Sequence, residues 1–417
     1  MPIYLDNNAT TRPLEPVQAA VMEGVREFWQ NPSSIHRPGQ AARQRVDLAR
    51  KSLAALIRAK PRHLTLCGSG TEAIDLAIRG ALLAQGRLGA KRTRDPGTIV
   101  TTKAEHIAVR GLCAALEKEE GVRTLWAGFD AQGVVTVESV RALLDAHTDV
   151  TLVSIQWANN ETGAVNPVEE IGTLCRERGV VFHTDATQWV GKRDVDLSHE
   201  GAAPSLCCDL LTFSAHKFHG PKGVGALWTR PGVAIRPLIH GEQELGRRGG
   251  TENVPGVLGA GVAAELAREW LGEPANPARV AALRDRFEAR VLAGVPGAVV
   301  NGPRDQRRLW NTTNIGFPRL EAEALLLLLS ERGVCASAGA ACSSGALEPS
   351  PVLLAMGVAP EVAHGSLRFS LSRETTEAEV DEAAGIVVEC VDRLRGSMSG
   401  LNQQHTARTT QHASKPA

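Results

Sequence analysis

Between residues 60 and 230 the chain alternates two hydrophobic rhythms. Short apolar runs, HLTLC (63–67), TIVTT (98–102), TLVSIQ (151–156), VVFHT (180–184) and LLTF (210–213), have the aliphatic and β-branched content of strands buried on both faces. Between them Thr71–Gln85, His106–Glu120 and Val168–Gly179 place apolar residues at helical spacing. Such alternation predicts an α/β fold, a mostly parallel sheet covered by helices on both faces. From about 260 to 398 strands are fewer: IGF near 315, GVCAS (333–337) and SLRFSL (366–371). Helical stretches surround them, which predicts a smaller α+β domain. The polar residues 399–417 read as a disordered tail, and RLGAKRTRDPG (87–97) as a basic surface loop. No internal repeat is visible.

Composition narrows the class. With 417 residues, 43% of them hydrophobic, two domains are expected. Lys plus Arg and Asp plus Glu both number 46, so no net field favours nucleic acid or an anionic membrane. The start, MPIYLDNNATT, lacks the charged-then-apolar order of a signal peptide, and the longest aliphatic run, 324–329, is too short to span a bilayer. Eight cysteines make no C-x-x-C pair, and adjacent Cys207 and Cys208 are not a zinc spacing, so a reduced, cytoplasmic protein is expected and no metal site is assigned.

The residues after each apolar run carry the chemistry. HLTLC leads into Gly68-Ser69-Gly70-Thr71 and a helix, TIVTTK into Glu105 and His106, and TLVSIQWA into Asn159-Asn160-Glu161. VVFHT leads into Asp185 and Gln188, and LLTFSA into His216 and Lys217. Carboxyl ends of parallel strands face the ligand crevice, so these residues would share one cleft. Singly, each has a plain reading: a tight turn with an N-cap, a cap-region histidine, a capping aspartate, a surface lysine. Together they match the needs of pyridoxal phosphate. Its aldehyde takes a lysine as Schiff base, its ring nitrogen a carboxylate, and its phosphate a Gly/Ser/Thr helix start. The carboxylate keeps the pyridine nitrogen protonated and the ring an electron sink.

The chain resembles the cysteine desulfurases of fold-type I, within the class V aminotransferase superfamily, and most resembles the nitrogen-fixation type. The matching motifs are YLDNNATT (4–11), NPSSIHRPG, TKAEH (102–106), WANNETG (157–163), HTDATQ (183–188), SAHKFHGPKG, GRRGGTEN (246–253), ACSSGALEPS and SLRFSLSR. They span nearly the whole chain to about 396 in the expected order. The resemblance implies a fold-type I transferase with a seven-stranded, mostly parallel sheet in a large cofactor-binding domain (16–258). It implies a small domain (259–398) joined by residues 1–15. It also implies that Lys217 is the Schiff-base lysine and Cα proton carrier, that Asp185 partners the pyridinium nitrogen, and that Gln188 donates to the ring hydroxyl. His106 would stack on the ring and shuttle a proton. Gly70, Thr71, Ser214 and His216 would hold the cofactor at its phosphate, completed by Thr251 of a neighbouring subunit, hence a homodimer. Asn160, also beside the cofactor, and Arg368 would hold the substrate carboxylate. Ala73-Ile74-Asp75 depart from the family's usual Ser-Asp-Asn, and SAGAAC replaces the more usual SSGSAC.

The run SAGAACSSGALEPS (337–350) has no packing period and reads as a mobile loop, a poor place for a structural thiol. The resemblance makes Cys342 the nucleophile that takes sulfur from L-cysteine as a persulfide, leaving L-alanine. The sulfur would pass to an iron–sulfur scaffold or other acceptor protein, and Cys342 could ligate a transferred cluster. His106 or the bound substrate would take the thiol proton. Four alternatives stay open at this point. A transaminase or lyase of the same fold would have no use for the loop thiol. Selenocysteine lyase would share the machinery, and housekeeping sulfur supply would differ from nitrogenase supply only in the acceptor. A non-enzymatic scaffold would not need lysine, aspartate, histidine and cysteine together.

Overall fold

A computed structural model describes the backbone of residues 2–89, 93–198, 207–338 and 348–413, with side chains to 397. Its strands in the first part of the chain are β1 Ile3–Tyr4, β2 Leu64–Cys67, β3 Thr98–Thr102, β4 Arg123–Ala127, β5 Val150–Ser154 and β6 Val181–Asp185. They continue with β7 Leu210–Ser214, β8 Gly225–Thr229, β9 Val299–Val300, β10 Thr312–Gly316, β11 Val334–Cys335 and β12 Ser366–Ser370. The large sheet has seven strands in the order β2-β8-β7-β6-β5-β3-β4. Only β8 runs against its neighbours, β2 and β7.

Adjacent residues along each central strand enter opposite cores, as the pleat requires. Ile99, Leu152, Leu210 and Leu227 pack under the helices Gly70–Ala84 and Ile107–Glu120. Val100, Val153, Leu211 and Trp228 pack on the other face with residues of the helices Arg37–Leu56, Val168–Glu177 and Val254–Leu271. The five expected strands lie within one or two residues of their predicted limits. β4 escaped the apolar pattern because it is a half-exposed edge strand, RTLWA. β8, GALWT, escaped because glycine and alanine dilute its signal.

A second core joins Ile3 and Leu5 to Phe287, Ile315, Phe317, Leu367, Phe369 and Val387. It packs the antiparallel sheet β12-β10-β9 and the parallel pair β1-β11 against helices that include Ala275–Gly294 and Glu377–Ala413. That last helix corrects the expectation of a structureless tail. Residues 401–413 contain neither glycine nor proline, so a helix nucleated on Val380, Val387 and Val391 propagates without needing a core of its own.

One glycine sets the start of the Gly70–Ala84 helix. A Cβ on Gly225 of β8 would lie 2.1 Å from the Ser69 carbonyl oxygen and 2.7 Å from the Gly70 nitrogen. The turn after β2 therefore rests directly on the β8 backbone. Gly225→Ala should destabilise the protein by about 1–3 kcal/mol, read by denaturant unfolding, because backbone and not a yielding side chain must move. A variant as stable as the wild type would show that the turn is not held there.

Candidate active site

The parallel strands end at one edge of the sheet, and the turns after them surround a cavity of about 600 Å³. Gly70, Thr71, His106, Asn160, Asp185, Gln188, Ser214, His216 and Lys217 line it, and Arg368 reaches it from β12. Thus residues of five strand ends and helix starts, with Arg368 of β12, share one space although Gly70 and Arg368 are 298 residues apart in sequence. Thr251 is exposed and outside this lining. Cys342 lies outside the described residues.

At the helix start Ser69 caps the first turn, accepting from the Glu72 backbone N–H at 3.1 Å. Glu72 reaches back past the cap to the Gly68 N–H at 2.8 Å, and Arg248 holds the same carboxylate at 2.7 Å. The next N–H groups are oriented toward the cavity end of the helix, where the macrodipole favours an anion. A Cβ on Gly70 would meet Ser214 Cβ at 3.4 Å and Thr187 Oγ1 at 3.5 Å, so three elements converge there. Thr187 Oγ1 is buried and has no hydrogen-bond partner among the described residues. His216 Nδ1 lies 3.1 Å from Thr10 Oγ1, and burial, with Lys217, Lys222 and Lys192 nearby, lowers the ring pKa to about 4.

Glu105 and His106 leave β3 side by side. His106 caps its helix through Nδ1, which accepts from the Ala108 N–H at 3.2 Å, so the neutral ring carries its proton on Nε2. Burial lowers its pKa; the Asp185 carboxylate opposes this, and Lys217 and the nearby arginines reinforce it. Glu105 is fully buried, and desolvation, then repulsion from Asp185, drives its carboxyl well above the ordinary glutamate range. Its Oε1 accepts from the Gln156 N–H at 2.5 Å, while Oε2 is buried with no partner among the described residues. Burial thus pushes Glu105, next to His106 in the chain, toward its neutral acid form.

Asp185, 6% exposed at the end of β6, accepts from the Thr187 N–H at 3.0 Å. The N-terminal segment enters from the second core. The Asn8 carbonyl accepts from Lys217 Nζ at 2.7 Å and from Gln188 Nε2 at 2.9 Å, and the Ala9 carbonyl accepts from Lys217 at 2.8 Å. Arg368 donates to the Asn160 carbonyl at 3.1 Å and to Asp6 Oδ1 at 2.5 Å, and its buried Nε has no partner among the described residues. Sequence reading did not single out Asn8 or Thr187 as site residues, and it placed Glu105 in the cleft without giving it a role. Asn8 lies within YLDNNATT and Glu105 directly before His106, and those motif positions were the available signal. Among the described residues no group of histidine, cysteine or acidic side chains could hold a metal ion.

A helix-start anion cradle, a buried aspartate, a lysine at the end of the next strand and an arginine from a second core define a transferase site of the fold-type I kind. The chain belongs to the class-V aminotransferase family, whose sequence profile matches residues 3–383. It is 46% identical over 394 residues to a cysteine desulfurase of Nostoc sp., covering 94% of each chain. It is 43% identical over 395 residues to cysteine desulfurase NifS of Azotobacter vinelandii, covering 94% of this chain and 93% of that one. Among solved structures, a NifS-like protein superposes with a TM-score of 0.84 at 36% identity, covering 94% of this chain and 100% of the other. SspA, solved in complex with cysteine, superposes with a TM-score of 0.73 at 30% identity, covering 89% and 99%.

Folding raises the pKa of Glu105, so its protonated form stabilises the native state. That contribution is complete below the ordinary glutamate range and is lost as pH rises through the folded value. Glu105→Gln needs no proton. Its stability relative to the wild type should therefore grow between pH 5 and pH 8, by at most about 1.4 kcal/mol per pH unit. Denaturant unfolding at the two pH values measures this, and an equal difference at both would mean that Glu105 is ionised in the folded protein.

Proposed function

We propose that this protein is a cysteine desulfurase that uses pyridoxal 5′-phosphate to convert L-cysteine to L-alanine, with the sulfur passing to Cys342 as a persulfide. The observation that carries this reading is the convergence of Lys217, Asp185 and the Gly70–Thr71 helix start on one cavity, with Arg368 in the same lining. The donor set fits the cofactor. The unpartnered Thr187 hydroxyl, Ser214 and the helix start suit a phosphate; the Asp185 carboxylate suits a protonated ring nitrogen; and about 600 Å³ is the size of a small-molecule pocket. When bound, the cofactor supplies an electrophilic carbon for amines and a ring that accepts the electrons of the Cα–H bond.

The chain's own residues do the rest. Gly70, Thr71, Ser214 and His216 would hold the phosphate, with Thr251 of a second subunit completing the set. Asp185 would hold a proton at the ring nitrogen, and Gln188 would give an N–H to the ring oxygen. His106, its Nδ1 engaged by the Ala108 N–H and its proton on Nε2, would stack on the ring and pass that proton on. Lys217 Nζ, held by the Asn8 and Ala9 carbonyls, takes the substrate's Cα proton and returns one. Arg368 and Asn160 bind the substrate carboxylate; a guanidinium with an unpaired, buried Nε suits that planar anion. The Cys342 thiolate attacks the substrate sulfur, an S–S bond forms, the Cβ–S bond breaks, and the electron pair left on carbon is protonated to give alanine.

A homodimer agrees with the exposure of Trp29 and Ile35, 70% and 92%, and with the position of Thr251 outside its own cavity. Within the described residues no helix is long and apolar enough to cross a membrane, which agrees with work in the cytoplasm. The name of the Azotobacter vinelandii relative, cysteine desulfurase NifS, supports the desulfurase activity; sulfur supply to iron–sulfur clusters, those of nitrogenase included, is the role we propose for this chain.

Alanine release from L-cysteine with a reductant present tests the reading. Wild type should form alanine and sulfide, and Cys342→Ala should form neither; equal alanine release by both would make the protein a different lyase. Arg368→Lys, which keeps the charge and loses the fork, should raise KM for L-cysteine tenfold or more, about 1.4 kcal/mol. An unchanged KM would remove Arg368 from the substrate site.

A further inference from the structure

Lys192 has no part in the proposed reaction, yet it is only 3% exposed and stands behind the cavity wall, four residues beyond Gln188. The Trp310 indole N–H donates to its carbonyl at 2.6 Å and fixes its backbone. Its Nζ donates to Gln188 Oε1 at 2.5 Å and to Asn8 Oδ1 at 2.9 Å. Asn8 is itself held on every side. Its N–H donates to Ser370 Oγ at 2.9 Å, and its Nδ2 to Thr312 Oγ1 at 2.9 Å and to the Asn160 carbonyl at 3.1 Å. Asn311 Nδ2 donates to Oδ1 at 2.9 Å as well.

A glutamine amide is nearly symmetric in shape and wholly asymmetric in hydrogen bonding. Turning Gln188 by half a rotation would set its NH2 against Lys192 Nζ and its oxygen against the Asn8 carbonyl. Two acceptors would then meet at the Asn8 carbonyl, and two donors at Lys192 while its amine is protonated, all on buried side chains. A single orientation survives, with one Nε2 hydrogen on the Asn8 carbonyl and the other free for the cavity that Gln188 lines. Burial, with Lys217 and Arg368 adding to it, draws Lys192 well below the ordinary lysine range. The neutral amine keeps two N–H groups, one for each acceptor; its lone pair would also take an N–H from a turned amide, so the Asn8 carbonyl is then what forbids the turn.

We infer that Lys192 is a positioning residue: by donating to Gln188 Oε1 and Asn8 Oδ1 it fixes the Gln188 amide with an N–H presented to the cavity, where it favours an accepting oxygen on the bound group beside Lys217. An apolar side chain at 192 would leave Gln188 Oε1 buried without its donor and remove one of the two hydrogen bonds that set the amide, while Asn8 Oδ1 would keep Asn311. The identity of the accepting oxygen, the ring oxygen of pyridoxal phosphate, rests on the proposed function.

The test is a pH titration of the visible absorption band of the pyridoxal-phosphate-loaded enzyme, with the dissociation constant of the cofactor as a second readout. An N–H donated to the ring oxygen stabilises its anion and so favours the deprotonated chromophore. In Lys192→Met the midpoint should therefore move up by about half to one pH unit, the equivalent of one neutral hydrogen bond. Gln188→Leu should move it equally, and the double variant no further. An unmoved midpoint in Lys192→Met, or single shifts that add in the double variant, would overturn the inference. If Lys192→Met does not fold, Lys192→Gln, which keeps a donor at shorter reach, is read in the same titration: a smaller upward shift supports the inference and none overturns it. A wild type that acquires no visible band would instead remove the cofactor reading itself.

Discussion

The common direction of the strands is the constraint on which everything else depends. β2, β7, β6, β5, β3 and β4 all point one way, so the turns after them open on one edge of the sheet. Parallel pairing forces each return through a helix, and each returning helix begins at that same edge. Anion-favouring helix starts and strand-end side chains are thereby brought together with no local sequence contact between them. The lone antiparallel strand, β8, serves the same end: its Gly225 lets the Ser69–Gly70 turn sit flat against the sheet.

Burial then sorts the site's titratable groups. For Glu105, His106 and His216 the loss of solvent outweighs any opposite charge nearby, and all three are pushed toward their neutral forms. Glu161 follows the same rule, its carboxyl raised by burial while it accepts a hydrogen bond from Ser350 at 2.5 Å. His183, held between Ser154 and Thr212 inside the sheet, falls to about 3 and acts as a neutral rung across β5, β6 and β7. Neutral donors and acceptors of this kind shape the cavity without competing for the charges of a bound anion or amino acid.

Much of this was legible in the sequence because strands buried on both faces are nearly continuous apolar runs. β3, β5, β6 and β7 each announce themselves, and the polar residues after them mark the site. Less was legible where a residue's importance lies in partners far along the chain. Asn8 meets Gln188, Lys217 and Thr312, and Lys192 lies between Asn8 and Gln188. Nothing local distinguishes such an asparagine or lysine from a solvated one. The helical course of residues 399–413 was misread for the converse reason: polar composition excludes a core, and it does not exclude a helix continued from one.

In the proposed reaction one particular lysine, at the end of β7, bears the chemistry. Reducing the cofactor-loaded protein with borohydride and mapping the peptides by mass tests this most directly, because a second lysine, the buried Lys192, lies beside the same Asn8. The predicted result is a pyridoxyl phosphate adduct on Lys217 alone, lost in Lys217→Ala. An adduct on Lys192, or none on either lysine, would contradict it.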